Sequence, residues 1–542
     1  MRSKTIFAEV LLLLWLLTLS CEQSQSPAAT AEHCSCPELA NTQAYCDDDG
    51  ACSYTCQEAY VDCDGDLSQI ASNGCEKHLL LPSACGSCDM QCGEQQYCLD
   101  STGSCQALRT VWANAYGGVS TDIAADLAID ADQNIYVTGA YYSSSSDNPA
   151  FYGGDSLPKL EGLGVFAASY DSNGAHRWSI GLGGGGSSIL STLALDASGF
   201  IYIGGAFRGY NMPFDSLSLS STVDSDGNYT QDFFVAKLDA NTGQIVWVKG
   251  FGGPSYVDRV FALAIDESGN CIVEGKFYET IQFGPEAPLL QSAQDEEGNP
   301  TEELVVAKLD GDGNHLWSKA FPLNGGYQNR ALAIYRNELV IAAGAFDKTV
   351  KLSENIELKN KGDSDVFIMA LDLNSGELQW ANSYGGGYSD DANSIAINDD
   401  SVFMAGRRSF SRAFVGAWSL KDGAQQWIKL SRGGLASATG VAIGPSADLY
   451  VTGTFQAPIT FGTGMQVDKD TTGMFVYRLS PDGLGRWIYS FGTGSSYAIS
   501  ADEDGAITVV GTFNDRYDFG TGSIGSENET YNVHSLVLRM NE

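Results

Sequence analysis

Seven tryptophans recur along this chain of 542 residues, each inside a copy of the same local phrase. In six copies a Gly stands four residues before the Trp. Similarity at a spacing of about 47 to 70 residues indicates a repeat architecture. The seven are Trp112, Trp178, Trp247, Trp317, Trp380, Trp427 and Trp487.

Each repeat contains four short phrases that are typical of β-strands, which we call strands a to d. Strand a is an apolar phrase with Ala at its centre, strand b ends at a Gly such as Gly139, and strand c alternates as in residues 234–239. Strand d begins near the Trp. Alternation and Gly-bounded turns predict strands, and the Gly four before Trp suits a hairpin turn with positive φ.

Four-stranded antiparallel units in series predict an all-β fold, a seven-bladed β-propeller. The last repeat ends after strand c, whereas Trp112 arrives alone in residues 111–118. We therefore expect this N-terminal strand to complete the seventh blade and remove a free sheet edge. The tryptophans are predicted to be structural, filling the gaps between blades.

The first 21 residues have the pattern of an export signal: a basic start, an apolar run at 10–19, and Cys21. The apolar run is shorter than the roughly 20 residues that span a bilayer. The segment resembles a bacterial lipoprotein signal peptide, although Thr18 and Leu19 depart from the preferred residues. The resemblance implies lipidation of Cys21 and anchoring at the outer membrane or cell surface. The alternative is a secreted or periplasmic protein cut after Ala31.

Residues 22–33 are polar and predicted to form a flexible tether. Twelve of the fourteen cysteines lie in residues 34–106, which predicts a disulfide module in an exported chain. Its stretches 62–76 and 84–92 resemble a Cys-rich module of myxobacterial surface proteins. That resemblance implies location and no activity. Residues 107–542 are predicted to be the propeller.

The ordered phrases of residues 109–542 resemble the seven-bladed repeats of bacterial cell-surface lipoproteins. This resemblance implies an exported propeller, usually without assigned chemistry. Residues 238–247 and 370–380 also resemble the tryptophan-docking phrase of pyrroloquinoline quinone propellers. Those enzymes use a larger ring and an adjacent Cys pair, and this sequence has no Cys-Cys dipeptide. The second resemblance therefore implies shared blade geometry and no cofactor.

The formal net charge of −37 opposes nucleic acid as a partner, and contact with a membrane is predicted only through the lipid anchor. The sequence contains no Gly-x-Ser-x-Gly, His-Glu-x-x-His or Walker phrase. The Gly-x-Gly-x-x-Gly at 181–186 follows an outer strand and is predicted to be a connector. We predict no catalytic residue. The alternatives are a propeller glycosidase or lyase, which would use carboxylates from distant blades, and a scaffold lipoprotein of outer-membrane assembly.

Some turns are rich in Asp in a way that suits calcium, which prefers oxygen ligands. The candidate ligands are Asp310, Asp312 and Asn314 in one c–d turn. The alternative is that Asp, Asn and Gly serve the tight turn itself.

The b–c loops vary most in length: 141–164, 208–232 and 278–303 are long, and the loop near 407–413 is short and predicted to leave a notch. Variable loops on a rigid scaffold are where binding usually resides. We predict a monomeric, non-enzymatic envelope lipoprotein whose long-loop face binds a protein or glycan. Residues that could stack on such a ligand are Tyr141, Tyr142, Tyr210 and Tyr278.

Overall fold

The structure is a computed structural model. It describes residues 42–46, 52–56, 60–61, 77–78, 96–99, 104–118, 121–142, 149–159, 162–186, 192–254, 258–323, 331–461, 465–467, 472–513, 516–524 and 533–541. Every helix or strand element in these residues is a β-strand. The described residues contain no helix long and apolar enough to cross a membrane. The predicted signal peptide, Cys21 and the tether lie outside them.

The chain divides into two compact units. The first comprises Met1–Glu94 and Cys98–Cys105, and the second comprises Gln95–Tyr97 and Gln106–Glu542. In the Cys-rich region Thr42–Cys46 pairs with Cys52–Cys56 and Tyr60–Val61 pairs with Lys77–His78. Gln96–Leu99 and Ser104–Ala107 form a further two-stranded sheet. Cys105 is disulfide-bonded.

The second unit is a β-propeller of four-stranded antiparallel sheets, as predicted. We number its four-stranded units as blades 1 to 7 in chain order. The strands of the first four blades, each given in the order a to d, are Ile123–Ile129, Ile135–Tyr142, Leu163–Tyr170 and His176–Gly186; Thr192–Leu195, Phe200–Phe207, Asp232–Asp239 and Ile245–Phe251; Arg259–Ile265, Cys271–Tyr278, Glu302–Leu309 and His315–Phe321; Ala331–Tyr335, Leu339–Phe346, Asp365–Asp372 and Leu378–Tyr384.

Blades 5 and 6 share one long strand, Gln425–Ile443. Residues 425–430 of this strand pair with Arg412–Ser419, and residues 431–443 pair with Leu449–Phe461. Blade 5 also contains Asp390–Ile397 and Ser401–Arg408, and blade 6 contains Gly473–Leu479 and Gly485–Phe491, with Met465–Val467 added to Leu449–Phe461. The count of seven units rests on dividing the long strand where its pairing partner changes.

The last sheet joins the two ends of the repeat region. Gly494–Ala501, Ile507–Phe513 and His534–Asn541 supply strands a to c, and Arg109–Tyr116 is strand d. The register pairs Leu538 with Ala113 and Arg539 with Trp112. The prediction that an N-terminal strand completes the last blade is confirmed.

The innermost strands meet in a closed order. Strand a of each blade contacts strand a of the next, and that of blade 7 contacts that of blade 1. The repeated alanine at the centre of strand a is half-buried in every copy, because small side chains fit where the strands converge. The seven are Ala128, Ala194, Ala264, Ala333, Ala396, Ala442 and Ala498.

Five of the repeated tryptophans donate a hydrogen bond to the following blade. Trp178 Nε1 donates to Ala240 O of the next blade at 2.9 Å, and Trp317 Nε1 donates to Leu373 O at 3.0 Å. Equivalent bonds run from Trp112 to Ser172 O, from Trp247 to Gly311 O and from Trp427 to Pro481 O. Each bond satisfies an indole N–H that would otherwise be costly to bury.

The repeated Gly has two functions in this contact. Gly376 has φ of +69°, and a Cβ at this position would lie 2.6 Å from Trp317 Cε3 of the preceding blade. Gly243 stands in the same relation to Trp178. Glycine is therefore required both for the left-handed turn and for the close approach of the preceding indole.

Five of the b–c connections carry additional short strands that pack over the outer strands. They pair Met212–Phe214 with Leu217–Leu219, Thr280–Ile281 with Leu290–Gln291, Val350–Lys351 with Glu357–Leu358, Ile459–Phe461 with Met465–Val467, and Tyr517–Asp518 with Ser523–Ile524. In blade 3 the ring of Phe283 is buried, with its centroid 5.1 Å from that of Phe251 in strand d of blade 2. These hairpins therefore cover the gaps between blades.

Candidate functional site

Blade 5 has no such hairpin. Its strands b and c pair to their ends, Arg408 with Arg412, so that only residues 409–411 connect them. The structure therefore has the short loop that the sequence predicts. The gap between blades 4 and 5 therefore lacks a covering hairpin.

Three large apolar side chains are exposed around this loop, and we call them the notch surface: Tyr388 (61% exposed), Phe410 (54%) and Leu435 (54%). Backbone hydrogen bonds bring them together. Phe410 N donates to Ser389 O at 3.4 Å, and Ala436 N donates to Ser411 O at 2.9 Å. Large exposed apolar side chains grouped around one loop are typical of an interaction site.

The tip of the loop has an unusual backbone. Ser409 and Phe410 have φ of +53° and +60°. This left-handed conformation disfavours residues with a Cβ, and a bulky aromatic residue in it is uncommon. Asp390 supports the turn, because its Oδ1 accepts a hydrogen bond from Ser409 N at 2.8 Å. The surrounding contacts therefore hold Phe410 outward in a strained position.

The same loop carries basic residues on an otherwise acidic chain. Arg407 Nη2 lies 2.5 Å from Asp391 Oδ2, and Arg408 Nε lies 3.9 Å from Asp390 Oδ2. Arg412 donates from Nε to Ser431 O at 2.9 Å. The loop thus combines apolar rings with guanidinium groups, which are side chains enriched at protein interfaces.

The four tyrosines that the sequence suggested for ligand stacking are not equivalent. Tyr141 is fully buried, and its hydroxyl donates to Pro158 O at 2.9 Å, so its ring is not open to a ligand at the surface. This hydrogen bond attaches strand b to the b–c loop that passes over it. Tyr142 and Tyr278 are half-buried at the ends of their strands b, and Tyr210 is 73% exposed.

The three predicted calcium ligands form a hydrogen-bonded turn. Asp310 Oδ1 accepts from the backbone N of Asp312 and of Asn314, and Asn314 Oδ1 accepts from Lys249 Nζ at 2.9 Å. Burial alone would raise the pKa of Asp310, but the bonds from Asn314 outweigh it and the pKa is lowered. The described residues contain no group of three or more His, Cys, Asp or Glu side chains placed to hold a metal ion.

Buried carboxylates recur at the start of strand a in blades 1, 3 and 5. Asp122 Oδ2 accepts from Gly118 N at 2.6 Å, Asp258 Oδ2 accepts from Gly253 N at 2.6 Å, and Asp390 Oδ2 accepts from Gly386 N at 2.9 Å. Burial raises the pKa of Asp122 to about 7, and it raises that of Asp258 well above the ordinary value. These side chains tie the connections between blades to the inner strands.

Asp122 gives a testable pH dependence. Because its pKa of about 7 in the folded state exceeds the unfolded value of about 3.9, the folded protein retains a proton that the unfolded chain releases. Its contribution to stability is therefore complete below about pH 4 and is lost as the pH rises to about 7. We expect the urea midpoint of the wild-type protein to fall over this interval, and Asp122→Asn to reduce the fall.

Asp224→Asn is the matched control. Asp224 is exposed in a loop turn, where a hydrogen bond from Asn228 N lowers its pKa. This substitution should leave the fall in the urea midpoint between about pH 4 and 7 unchanged, since the Asp224 carboxyl is already ionised in that range. An equally steep fall in the Asp122→Asn protein would contradict the assignment to Asp122.

No protein-family model matches the chain. A curated relative is the uncharacterized WD repeat-containing protein L264 of Acanthamoeba polyphaga mimivirus, which is 20% identical over 447 residues. The match covers 74% of this chain and only 30% of the viral protein's length. WD repeats form four-stranded propeller blades, in agreement with the sheets described above.

Among solved structures, the Dos1 propeller is similar to this chain with a TM-score of 0.40 and 8% identity, covering 80% of this chain and 95% of the other. A europium-containing methanol dehydrogenase has a TM-score of 0.37 and 10% identity, with coverage of 80% and 93%. A protein of unknown function from Dyadobacter fermentans has a TM-score of 0.34 and 11% identity, with coverage of 65% and 94%.

Proposed function

We propose that the protein is a non-enzymatic binding scaffold of the cell envelope, whose propeller binds another protein or a glycan at the notch surface. The exposed cluster of Tyr388, Phe410 and Leu435 is the observation that carries the proposal. Aromatic side chains beside arginines supply the packing and charge that dominate many interfaces.

The strain at Phe410 supports the same location. A left-handed backbone at a bulky residue costs about 1 to 2 kcal/mol, and such strain concentrates at ligand-binding and switch regions. Here the strained residue carries an aromatic ring that is 54% exposed, and Arg408 and Arg407 precede it by two and three residues. A ring that is already positioned loses little conformational entropy when a partner covers it.

The absence of catalysis is part of the proposal. The recurrent buried carboxylates of Asp122, Asp258 and Asp390 lie in alternate blades, and each accepts hydrogen bonds from backbone N–H groups. These bonds give the three carboxylates a structural function.

The notch surface can be tested by a binding screen of the full-length protein against glycans and envelope proteins. For any ligand found, we expect Phe410→Ser combined with Leu435→Ser to weaken binding by at least about 30-fold, as for two interface residues of hot-spot size. The matched control is Leu217→Ser combined with Leu289→Ser, at apolar residues that are similarly exposed (41% and 60%) on the hairpins of blades 2 and 3. Equal loss in both variants, or no ligand in the screen, would argue against the proposed surface.

The proposed location in the cell envelope depends on lipidation of Cys21. If the lipoprotein resemblance is correct, the wild-type protein produced in a bacterium should incorporate labelled fatty acid, and Cys21→Ser should abolish the label. Ser20→Ala is the control, because a small residue before the Cys is retained. A wild-type protein without label would indicate simple secretion instead.

A further inference from the structure

The gap between blades 4 and 5 contains a pocket of about 190 Å³ directly beside the loop of residues 409–411. Its wall is mainly apolar and aromatic, and Lys361, Asp390 and Arg408 also line it. The apolar and aromatic lining residues are Val366, Tyr384, Phe414, Trp418 and Ile428.

At the corresponding position between blades 2 and 3 the chain supplies its own aromatic ring, and a cavity of about 660 Å³ remains beside it. Phe283 of the blade 3 hairpin lies between Phe251 of blade 2 and His315 of blade 3, with centroid separations of 5.1 and 6.4 Å. Counted from the repeated tryptophans, Tyr384 corresponds to Phe251 and Gln425 corresponds to His315. Both Tyr384 and Gln425 line the pocket.

Blade 5 compensates only in part for its missing hairpin. Trp418 stands where strand c of the other blades has a smaller residue such as Leu309, which pairs with His315 as Trp418 pairs with Gln425. Its ring centroid lies 5.5 Å from that of Tyr384, close to the separation of Phe283 and Phe251. A pocket remains beside it, somewhat larger than the roughly 150 Å³ cavity that holds one benzene molecule.

The polar groups that line the pocket indicate which charge a ligand there would carry. Trp418 is 1% exposed, and its Nε1 has no hydrogen-bond acceptor among the described residues. Lys361 is exposed at the pocket and forms no ion pair within 4 Å among those residues, although its charge acts to lower the pKa of Asp365, which burial raises. Arg408 Nε lies 3.9 Å from Asp390 Oδ2, and Asp390 also lines the pocket. A ligand with one ring and an adjoining carboxylate would match the volume and the charge.

We propose that this pocket receives a Phe or Tyr side chain from an acidic segment of the partner protein, which replaces the hairpin that blade 5 lacks. A nearby Asp or Glu of that segment pairs with Lys361 and Arg408. Peptide is the occupant that the fold itself favours, since in blade 3 a hairpin supplies Phe283, followed by Gly284 and Glu286. The inference rests on the proposed function and narrows its partner to an acidic aromatic peptide.

The test follows the indole N–H resonance of Trp418 by NMR in the ¹⁵N-labelled full-length protein, assigned with Trp418→Phe. The probes are a capped peptide of sequence TIQFGPEA, which is residues 280–287 of this chain, and 3-phenylpropionate with its uncharged amide. We expect both carboxylated probes to shift this resonance saturably, and the amide to bind about five- to tenfold more weakly, as for loss of one charge-assisted contact.

Lys361→Gln should weaken both carboxylated probes several-fold, and Lys359→Gln is its control, because Lys359 is also exposed but does not line the pocket. No shift with any probe, or equal binding of acid and amide, would overturn the inference. A shift with phenylpropionate but none with the peptide would assign the pocket to small aromatic acids and overturn the peptide occupant. Failure of the notch-surface screen with an intact Trp418 response would instead count only against the proposed function.

Discussion

Deleting residues 109–118 should cost the propeller most of its stability and cause it to aggregate. The deletion removes strand d of blade 7 and leaves the whole edge of His534–Asn541 unpaired. An open edge of this length offers backbone N–H and C=O groups to other chains. We expect a large fall in the urea midpoint and the appearance of oligomers in size-exclusion chromatography.

A point substitution isolates the packing part of this effect. Trp112 is 8% exposed and donates from Nε1 to Ser172 O of blade 1 at 2.9 Å. Trp112→Ala should therefore cost about 3 to 5 kcal/mol in the free energy of unfolding, the range for a large aromatic removed from a core. Val111 is the control, because it lies on the same strand but is 39% exposed. Val111→Ser should cost less than about 1 kcal/mol.

A deletion variant that stays monomeric and keeps the wild-type midpoint would refute closure by the N-terminal strand. If Trp112→Ala lowered the free energy of unfolding no more than Val111→Ser does, the strand would pair with blade 7 without its indole stabilising the contact with blade 1.

Gly376→Ala should strongly destabilise the propeller although it adds only one methyl group in a turn. The residue has φ of +69°, and the new Cβ would lie 2.6 Å from Trp317 Cε3. The backbone conformation alone costs about 1 to 2 kcal/mol, and forcing the indole aside adds about 1 to 3 kcal/mol. We expect a loss of about 2 to 5 kcal/mol in the free energy of unfolding, measured by urea denaturation.

Gly298 provides a control, because it also has a positive φ. Its φ is +86°, and nothing lies within 4 Å of an added Cβ. Gly298→Ala should show only the conformational cost, so the difference between the two variants measures the indole contact. Equal losses would mean that the turn conformation accounts for the repeated Gly and that Trp317 tolerates a methyl group.

The repeat phrases predicted the strands and the way the ring closes because both follow from local rules. A Gly four residues before Trp specifies a tight hairpin, and one unpaired strand at each end of an otherwise regular series can only pair with the other. The structure confirms this with the register of Leu538 opposite Ala113. The positions of the tryptophans between blades follow from the same periodicity.

The candidate site was predictable only in outline. The short connection of residues 409–411 gave the position of the notch. The exposure of Leu435 could not be predicted, because it depends on the absence of a hairpin in the neighbouring blade 5. Tyr141 looked like a loop aromatic and is buried, because the returning loop closes over it. Trp418 breaks the repeat pattern at a Leu position, and that departure was the signal in the sequence for the pocket.

The five bonds from Trp112, Trp178, Trp247, Trp317 and Trp427 to the next turn all point in the same direction around the ring. At these five links the preceding blade is the donor and the following blade is the acceptor, so the link made by Trp112 at the closure resembles the links inside the series. Joining residue 541 to 109 through a short Gly-containing turn, and opening the chain at another c–d turn, should give a circular permutant with the same fold.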